Sequence, residues 1–154
     1  HDGLLNEDGT IQPEFYDAVK RGVIMDVGHG RLSFEWDTVE NAFEQGFIPD
    51  TISTDIWKGW QQGIRDMPTV MSKFLHLGMS LEEVVKASTM KPAEVIGSLD
   101  LIGTLKPGSC ADVTVMRLTE GKFQLSDSVG YGNIREVDKL LKVNNVIRGG
   151  RVIF

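Results

Sequence analysis

Asp55 is the residue whose position in this sequence most suggests chemistry. It follows the short β-branched run of residues 50–54 (DTIST) and precedes a loop that contains Trp57, Gly59 and Trp60. In α/β proteins, ligands bind outside the carboxyl ends of the strands, where this carboxylate would lie. A carboxylate there can bind a hard divalent cation and can move a proton from a bound water. An Asp in a turn is more commonly a solvated cap, and the spacing alone does not separate the two roles.

His29 is a second candidate, because it stands between Gly28 and Gly30 directly after the apolar run of residues 23–27. Glycines in such a place let the backbone pass close to a ligand. A histidine in a glycine-rich turn without a ligand would have the same local sequence. Both interpretations therefore remain open at this point.

The other titratable residues give weaker signals. His76 lies in an apolar helix pattern, which predicts a packed or surface histidine, and His1 has no motif around it. Cys110 has no histidine near it, so we expect a small buried side chain rather than a nucleophile. The sequence contains no His-x-His pair, Walker loop or nucleophile elbow. Three histidines and one cysteine are too few for a closed metal site within the chain.

The elements that would hold these residues follow the pattern of parallel α/β proteins. A helix pattern that begins at Pro13 and another near Ser33 or Glu35 each precede a short apolar or β-branched run. These runs, residues 23–27 and 51–54, are nearly continuous, as strands buried on both faces are. We therefore predict two parallel strands, adjacent in one sheet, with the intervening helix packed outside it.

Three more helix patterns follow the second predicted strand. The first has Asp66 as its N-cap, and the second has capping-box spacing between Ser80 and Glu83. The third is short, over residues 93–96, because Lys91-Pro92 is expected to interrupt the chain before it.

From Gly103 onward the hydrophobic period changes from helical spacing to two. Four strands are predicted here, over residues 111–116, 123–125, 143–147 and 152–154. Gly149-Gly150 stands between the last two, as is typical of a hairpin with a tight turn. We expect α/β organisation over residues 1–102, and over residues 103–154 a small β region whose strands form a sheet apart from the first.

The composition fits a globular protein and excludes several classes. The 154-residue chain carries a net charge of −6, so it offers no basic surface for nucleic acid. No apolar run is long enough to span a bilayer, and no signal-peptide pattern is present. The lone cysteine excludes an internal disulfide framework and fits a cytoplasmic location. Since the first residue is not Met and no element precedes it, we expect the later portion of a longer protein.

Three later stretches resemble the carboxyl-terminal segment of metal-dependent amidohydrolases. They are residues 77–85 (LGMSLEEVV), 87–93 (ASTMKPA) and 103–115 (GTLKPGSCADVTV). The family commonly reads G-x-S-L-E-E, T-x-N-P-A and G-x-L-x-P-G-x-x-A-D-x-x-V there, and Lys91 stands where Asn is usual. Residues 22–55, with D-V-G-H-G and S-T-D, are similar to the dihydroorotase-like branch and its deacetylase-type members. The resemblance covers most of the chain, from about Asn6 onward.

The resemblance implies an α/β fold: the carboxyl-terminal part of a (β/α)8 TIM barrel together with part of a small β-sandwich. Asp55 matches the aspartate after the eighth barrel strand, which in the family binds the more buried metal and exchanges protons with the bridging hydroxide. His29, with Gly28 and Gly30, follows the seventh strand, where relatives present substrate-contacting groups. The implied cofactor is a divalent metal, zinc, as one or two ions held mostly by residues outside this chain.

The function implied by the resemblance is hydrolysis of C–N bonds in amides or cyclic amides by the full-length enzyme, with this chain inactive alone. The implied partners are a small-molecule substrate and the amino-terminal part of the same enzyme; a homo-oligomer is an option, whereas nucleic acid and membrane are not expected. An alternative is a non-catalytic binding or assembly protein that keeps the fold without the metals. Retention of Asp55 favours the enzyme, although fold alone does not define function.

Overall fold

The computed structural model describes residues 3–30, 33–56, 66–128 and 132–154, which form an α/β structure. The helices are α1 (Pro13–Lys20), α2 (Trp36–Glu44), α3 (Met67–His76), α4 (Leu81–Ser88) and α5 (Met90–Val95). The strands are β1 (Asp26–Gly28), β2 (Thr51–Ser53), β3 (Val113–Ser126), β4 (Ile134–Arg148) and β5 (Arg151–Val152). His1, Trp57 and Trp60 lie outside the described residues.

The first sheet consists of β1 and β2, which pair in parallel as the sequence predicts. Its three pairs are Asp26–Thr51, Val27–Ile52 and Gly28–Ser53. The prediction starts the first strand too early. The Val23 backbone N–H donates to Ala18 O at the end of α1, 3.0 Å away, so this part of the run is tied to the helix rather than to a strand.

α2 connects β1 to β2 and buries one face, as predicted. Trp36, Val39 and Ala42 are its buried side chains. Trp36 and Val39 belong to the same hydrophobic core as Ile52 of β2. The helical spacing of the apolar residues therefore predicts correctly which face of α2 is covered.

The helix starts at Asp66 and Ser80 are confirmed by their hydrogen bonds. The Asp66 carboxylate accepts from Thr69 N at 2.9 Å. Ser80 Oγ accepts from Glu83 N at 3.2 Å, while Glu83 Oε2 accepts from Ser80 N at 2.7 Å, which completes a capping box. These hydrogen bonds join residues three apart, which is why the sequence reveals them.

The prediction of a helix over residues 93–96 is wrong at its beginning. α5 begins at Met90, so Lys91 and Pro92 lie in its first turn and do not interrupt it. Proline is tolerated there, because the backbone N–H groups of a first turn have no acceptor within the helix.

The second sheet contains β3, β4 and β5 in antiparallel order, and none of them pairs with β1 or β2. The prediction of a separate β sheet after residue 103 is thus confirmed. Residues 123–125 are not a strand of their own: β3 continues to Ser126 through a register irregularity between Glu120 and Phe123. Gly149 and Gly150, with φ of +55° and +77°, form the tight turn between β4 and β5.

The loop-proximal half of the β3–β4 hairpin packs on the helices. Leu125, Val137 and Leu141 are buried in the same core as Phe74 of α3. Leu141 N also donates to Ser72 Oγ on α3, 2.9 Å away. A single core thus contains side chains from both predicted regions, and the division at residue 103 stays a prediction.

Cys110 lies in the loop before β3, at the surface of the protein. Cys110 is exposed, so the expectation that it is buried is wrong. Its backbone N–H donates to Leu101 O at 2.7 Å, which holds it in the loop ahead of β3 and outside the core.

Within the described ranges, every helix is too short or too polar to cross a membrane.

Candidate functional site

Asp55 lies two residues beyond the carboxyl end of β2, as the sequence predicts. Its φ is +48°, in the left-handed region that non-glycine residues seldom adopt. Asp and Asn tolerate this region better than other side chains, but the conformation still costs free energy. Such a backbone needs surroundings that maintain it, and it is found in turns and is enriched at active sites. The residues around Asp55 should therefore show what maintains its left-handed backbone.

Gly28 and Gly30 lie against the Asp55 side chain, which is otherwise exposed to solvent. A Cβ atom on Gly30 would lie 2.6 Å from Asp55 Cγ and 2.9 Å from Asp55 O. A Cβ atom on Gly28 would lie 3.1 Å from Asp55 Cβ and 3.4 Å from Ser53 Oγ. The first contact is impossible and the second is tight, so the backbone after β1 approaches Asp55 more closely than any side chain would permit. The space that the two glycines leave free is therefore occupied, at least in part, by the Asp55 side chain of the same protein.

An open cleft of about 550 Å³ lies at this edge of the parallel sheet. The residues that line it include Asp26, Gly28, Ser33, Ser53, Thr54 and Asp55. The lining is rich in hydroxyl and carboxylate oxygens, which suits hard cations and polar substrates better than apolar ligands. Of the glycines flanking His29, Gly28 is among the lining residues.

Asp26 is a cleft residue that the sequence analysis missed. Its carboxylate accepts hydrogen bonds from Thr51 Oγ1 at 2.6 Å and from Ser53 Oγ at 2.9 Å. The alternation of Thr51, Ser53 and Asp55 carries the signal that could have revealed it, because residues two apart on a strand share a face. In a parallel pair, that face continues onto Asp26 and Gly28 of β1.

His29 is held in the protein interior. Its side chain has no exposed surface. The ring stacks on Phe34, with 4.9 Å between centroids and 12° between planes. The backbone N–H donates to Ser53 O at 3.1 Å, and Nε2 is hydrogen-bonded to the Lys73 ammonium group. These contacts are all internal, and a direct contact between the imidazole and substrate stays a prediction.

The electrostatic environment keeps His29 neutral. Burial, together with the adjacent Lys73, lowers the pKa of His29 to about 3. A neutral ring that accepts a hydrogen bond at Nε2 carries its proton at Nδ1. Nδ1 is buried and has no hydrogen-bond partner among the described residues.

Lys73 is the second residue that sequence reasoning missed. It lies on α3 with no exposed surface, and it donates a hydrogen bond to Ser126 O of β3. Burial lowers the pKa of Lys73 to about 7, while attraction by Asp127 opposes that shift. The signal in the sequence is its spacing: it falls between Val70 and Phe74 on the apolar side of a helix, where a lysine is unusual.

The described residues do not form a complete metal site. No group of three or more His, Cys, Asp or Glu side chains within them is arranged to hold an ion. Asp55 offers a carboxylate at the mouth of the cleft, which fits one ligand of a hard divalent ion. A catalytic zinc has three protein ligands and a water, so the others would come from parts of the protein outside the described residues.

Comparison with known proteins identifies the family to which this chain belongs. The chain belongs to the amidohydrolase family, whose characteristic sequence matches residues 20–153. The resemblance found in the carboxyl-terminal motifs is thereby confirmed.

The relatives confirm the branch of the family. A deacetylase of Agrobacterium fabrum is 35% identical over 133 residues, which are 86% of this chain and 32% of the relative. The crystal structure of an adenine deaminase has a TM-score of 0.90 at 29% identity, over 97% of this chain and 41% of that chain. The crystal structure of a dihydroorotase has a TM-score of 0.78 at 32% identity, over 92% and 38% respectively. The chain thus spans roughly a third of the length of the curated relatives it matches.

Proposed function

We propose that the chain is the carboxyl-terminal part of a metal-dependent hydrolase that cleaves C–N bonds of amides or cyclic amides. The observation that carries this proposal is Asp55, an exposed carboxylate that lines the cleft at a strand end, with a left-handed backbone that lies against Gly28 and Gly30. A carboxylate that only caps a turn does not require two glycines at such close range. Membership of the amidohydrolase family supports the same reaction class.

We propose that β1 and β2 are the seventh and eighth strands of a (β/α)8 barrel. The remainder, from residue 103, would be part of a small β-sandwich. Two short, parallel, neighbouring strands and the likeness to the deaminase and dihydroorotase structures support this assignment. In TIM barrels the catalytic residues stand at the carboxyl ends of the strands, which is where Asp55 and the Gly28–Gly30 loop lie.

Asp55 is proposed as a ligand of the metal and as the group that moves the proton. A divalent ion, zinc in our expectation and one or two in number, would supply Lewis-acid activation of the carbonyl and of water when bound. Asp55 accepts a proton at a carboxylate oxygen as the water oxygen bonds to the carbonyl carbon. It then gives that proton to the nitrogen as the C–N bond breaks. Water is thereby added across the bond, and Asp55 returns to its ionised form.

Gly28, His29 and Gly30 are proposed to form the substrate side of the site. Gly28 lines the cleft, where the lack of a side chain lets a substrate approach the backbone. The three names among the relatives, deacetylase, dihydroorotase and adenine deaminase, define the substrates to be assayed. N-acetylated amines, dihydroorotate and adenine therefore form the first panel.

The test is steady-state kinetics on Asp55→Asn in the full-length protein. The amide is nearly isosteric, yet it cannot accept the proton or bind metal as an anion. We expect kcat to fall by about 10²–10⁴-fold, with the circular dichroism spectrum unchanged. Asp100→Asn, which changes an exposed carboxylate, is the matched control and should keep parental activity. Near-parental kcat for Asp55→Asn at full metal occupancy would show that Asp55 is only a cap.

The alternative, a non-catalytic binding or assembly protein, has no support from the relatives, all of which carry enzyme names. The partners that follow from the proposal are a small-molecule substrate and the rest of the same polypeptide. A homo-oligomer, the lack of nucleic-acid or membrane partners and a cytoplasmic location stay predictions.

A further inference from the structure

A buried polar cluster joins three separate parts of the chain behind the cleft. Lys73 of α3 donates hydrogen bonds to the His29 imidazole, beyond β1, and to Ser126 O, at the end of β3. Neither Lys73 nor His29 has exposed surface. The ammonium group also lies 4.9 Å from the centroid of the Phe34 ring, on which His29 stacks. The polar contacts of the cluster therefore lie in the protein interior, where both side chains have defined partners.

A lysine at this place is costly if its role is only to fill the core. Removing an ammonium group from water is unfavourable unless its hydrogen bonds are replaced, and an apolar side chain of similar length carries no such cost. Ser72, the adjacent residue, already fastens α3 to the hairpin by accepting from Leu141 N. Docking of the hairpin thus has a contact of its own at Ser72, beside the hydrogen bond from Lys73 to Ser126 O.

The cluster is connected to Asp55 through the backbone on either side of His29. The His29 N–H donates to Ser53 O, so the residue is attached to β2 as well as to Lys73. Gly28 and Gly30, its two neighbours, form the surface against which the Asp55 side chain lies. A displacement of the His29 backbone would carry both glycines with it. Since Asp55 occupies a left-handed conformation that its surroundings must maintain, it would move too.

We propose that Lys73 is a positioning residue for Asp55, acting through its hydrogen bond to His29 and the Gly28–Gly30 backbone. It touches neither the cleft nor a reacting atom. Its role is to fix the imidazole, and with it the wall that sets the direction of the Asp55 carboxylate. The inference rests on the proposed function, because it assigns a device that serves the carboxylate of that same site.

The contact of His29 with Phe34 supplies a second hold on the same loop. Phe34 N donates to Ser128 Oγ at 2.8 Å, and Ser128 Oγ donates to Phe34 O at 3.1 Å. The hairpin therefore fixes the stacking partner of the ring as well as the lysine. Loss of Lys73 also removes an attraction to the buried Asp127, so the melting temperature should fall, and kcat is compared at a temperature where every variant is folded.

The experiment compares Lys73→Met with two matched variants in the full-length protein. Ser72→Ala removes the neighbouring buried hydrogen bond to the hairpin but leaves His29 untouched. Lys86→Met removes an exposed lysine of α4. Melting temperature, metal content, kcat and KM are measured for each, and Asp55→Asn serves as the reference for loss of the reacting group.

We expect Lys73→Met to lower kcat about 10- to 100-fold at full metal occupancy, because a displacement of about 1 Å in a reacting group has an effect of that order. KM should change less than kcat. Ser72→Ala should lower the melting temperature while keeping kcat near the parental value, and Lys86→Met should change neither. If kcat of Lys73→Met stays near the parental value, or falls no more than that of Ser72→Ala, the proposal is wrong.

The path through His29 is tested by combining Lys73→Met with His29→Phe. If Lys73 acts through the imidazole, the double variant should be no slower than His29→Phe alone. Losses that multiply would overturn the proposal. Should Lys73→Met not fold, Lys73→Gln replaces it, since it keeps a polar side chain without the charge; the same kcat criteria then apply.

A measurement on the unmodified protein completes the test. Nitrogen-15 NMR of labelled histidines should show His29 as the Nδ1–H tautomer, since Nε2 accepts from Lys73. The opposite tautomer would show that Nε2 donates to a neutral Lys73 amine, and a hydrogen bond from the Lys73 ammonium to His29 would then be wrong. Near-parental activity of Asp55→Asn would refute the proposed function, whereas an inactive Asp55→Asn beside an active Lys73→Met would refute only the role of Lys73.

Discussion

The strand-end region around Asp55 and the interface between the hairpin and α3 follow opposite physical rules. At the strand ends, a non-glycine residue is left-handed and two glycines lie against a carboxylate. At the hairpin interface, Val137 and Leu141 are buried in an apolar core, and the buried Leu141 N–H has its acceptor in Ser72. The first region holds a costly arrangement that stability alone does not require, whereas the second contributes stability in the ordinary way.

The difference indicates how the two regions divide the work. Strained or tightly enclosed groups persist only where a rigid surrounding determines them. The hairpin, fastened to α3, supplies part of that surrounding through Ser126 and Ser128, which contact Lys73 and Phe34. Changes in the two regions should therefore have different signatures: loss of activity in the first and loss of stability in the second.

Among changes that leave Asp55 itself in place, Gly30→Ala in the full-length protein is expected to have the largest effect on activity. The new Cβ would lie 2.6 Å from Asp55 Cγ, so the carboxylate must move. We expect kcat to fall by about 10²-fold or more, with little change in the circular dichroism spectrum. Gly3→Ala, at a glycine with open space around it, is the matched control. Parental kcat for Gly30→Ala would show that the position of Asp55 is not critical.

Leu141→Ala should give the opposite signature. Leu141 is 5% exposed, and its truncation leaves a cavity beneath the hairpin. We expect a loss of about 2–5 kcal/mol in the free energy of unfolding and a kcat within about twofold of parental at a temperature where the protein is folded. Lys139→Ala on the same strand, with a side chain 46% exposed, should be nearly neutral. A collapse of kcat without loss of stability would contradict the division between the regions.

The pH dependence of stability sharpens the comparison at Lys73, which belongs to both regions. In the folded protein burial lowers its pKa to about 7, against 10.5 for an ordinary lysine. Between these values the unfolded state binds more protons, so raising the pH stabilises the folded state. The free energy of unfolding of the parent, relative to that of Lys73→Met, should therefore rise from pH 7 to pH 10 by up to roughly 1 kcal/mol per pH unit. The melting temperature of the parent should rise with it. Thermal melts across this range would show no such divergence if the lysine were solvated.

Arg135→Ala should have the smallest effect. Arg135 Nε donates to Glu40 at 2.8 Å, and the same guanidinium donates to Asp37 at 2.6 Å, joining the hairpin to α2. The groups are partly exposed, with side-chain exposures of 30% for Arg135 and 70% for Asp37. Ion pairs of this kind contribute about 1 kcal/mol or less and weaken with salt. Chemical denaturation at low and high ionic strength should show a small difference that shrinks as salt is added.

Local features of the sequence predict the elements well. Asp66 as an N-cap, the Ser80–Glu83 capping box and the glycine pair after β4 each act over two to four residues, so the printed sequence contains all the information they need. The β-branched run before Asp55 likewise predicts β2. The error at Pro92 arose at the same level, because a proline signals a break as readily as a first turn.

In the candidate site, too, the features that depend on nearby residues could be predicted from the sequence, and those that depend on distant residues could not. Asp55 is accessible to sequence reasoning because a carboxylate after a β-branched strand has a defined place in parallel α/β proteins. The close approach of Gly30 joins residues 25 positions apart in the chain, and the hydrogen bond between Lys73 and His29 joins residues 44 apart. Spacing carries no information about such pairs until the parallel sheet and α3 bring them together.

By itself, the sequence determined the caps of α3 and α4, the apolar face of α2 and the carboxylate that follows the second parallel strand. Those properties follow from hydrogen bonds and periodicities within a few residues. Only the tertiary structure decided that the two glycines lie against Asp55, that a lysine is buried beside His29 and that the hairpin docks on α3. These depend on contacts between distant segments, whose free energy is gained only when the whole core is assembled.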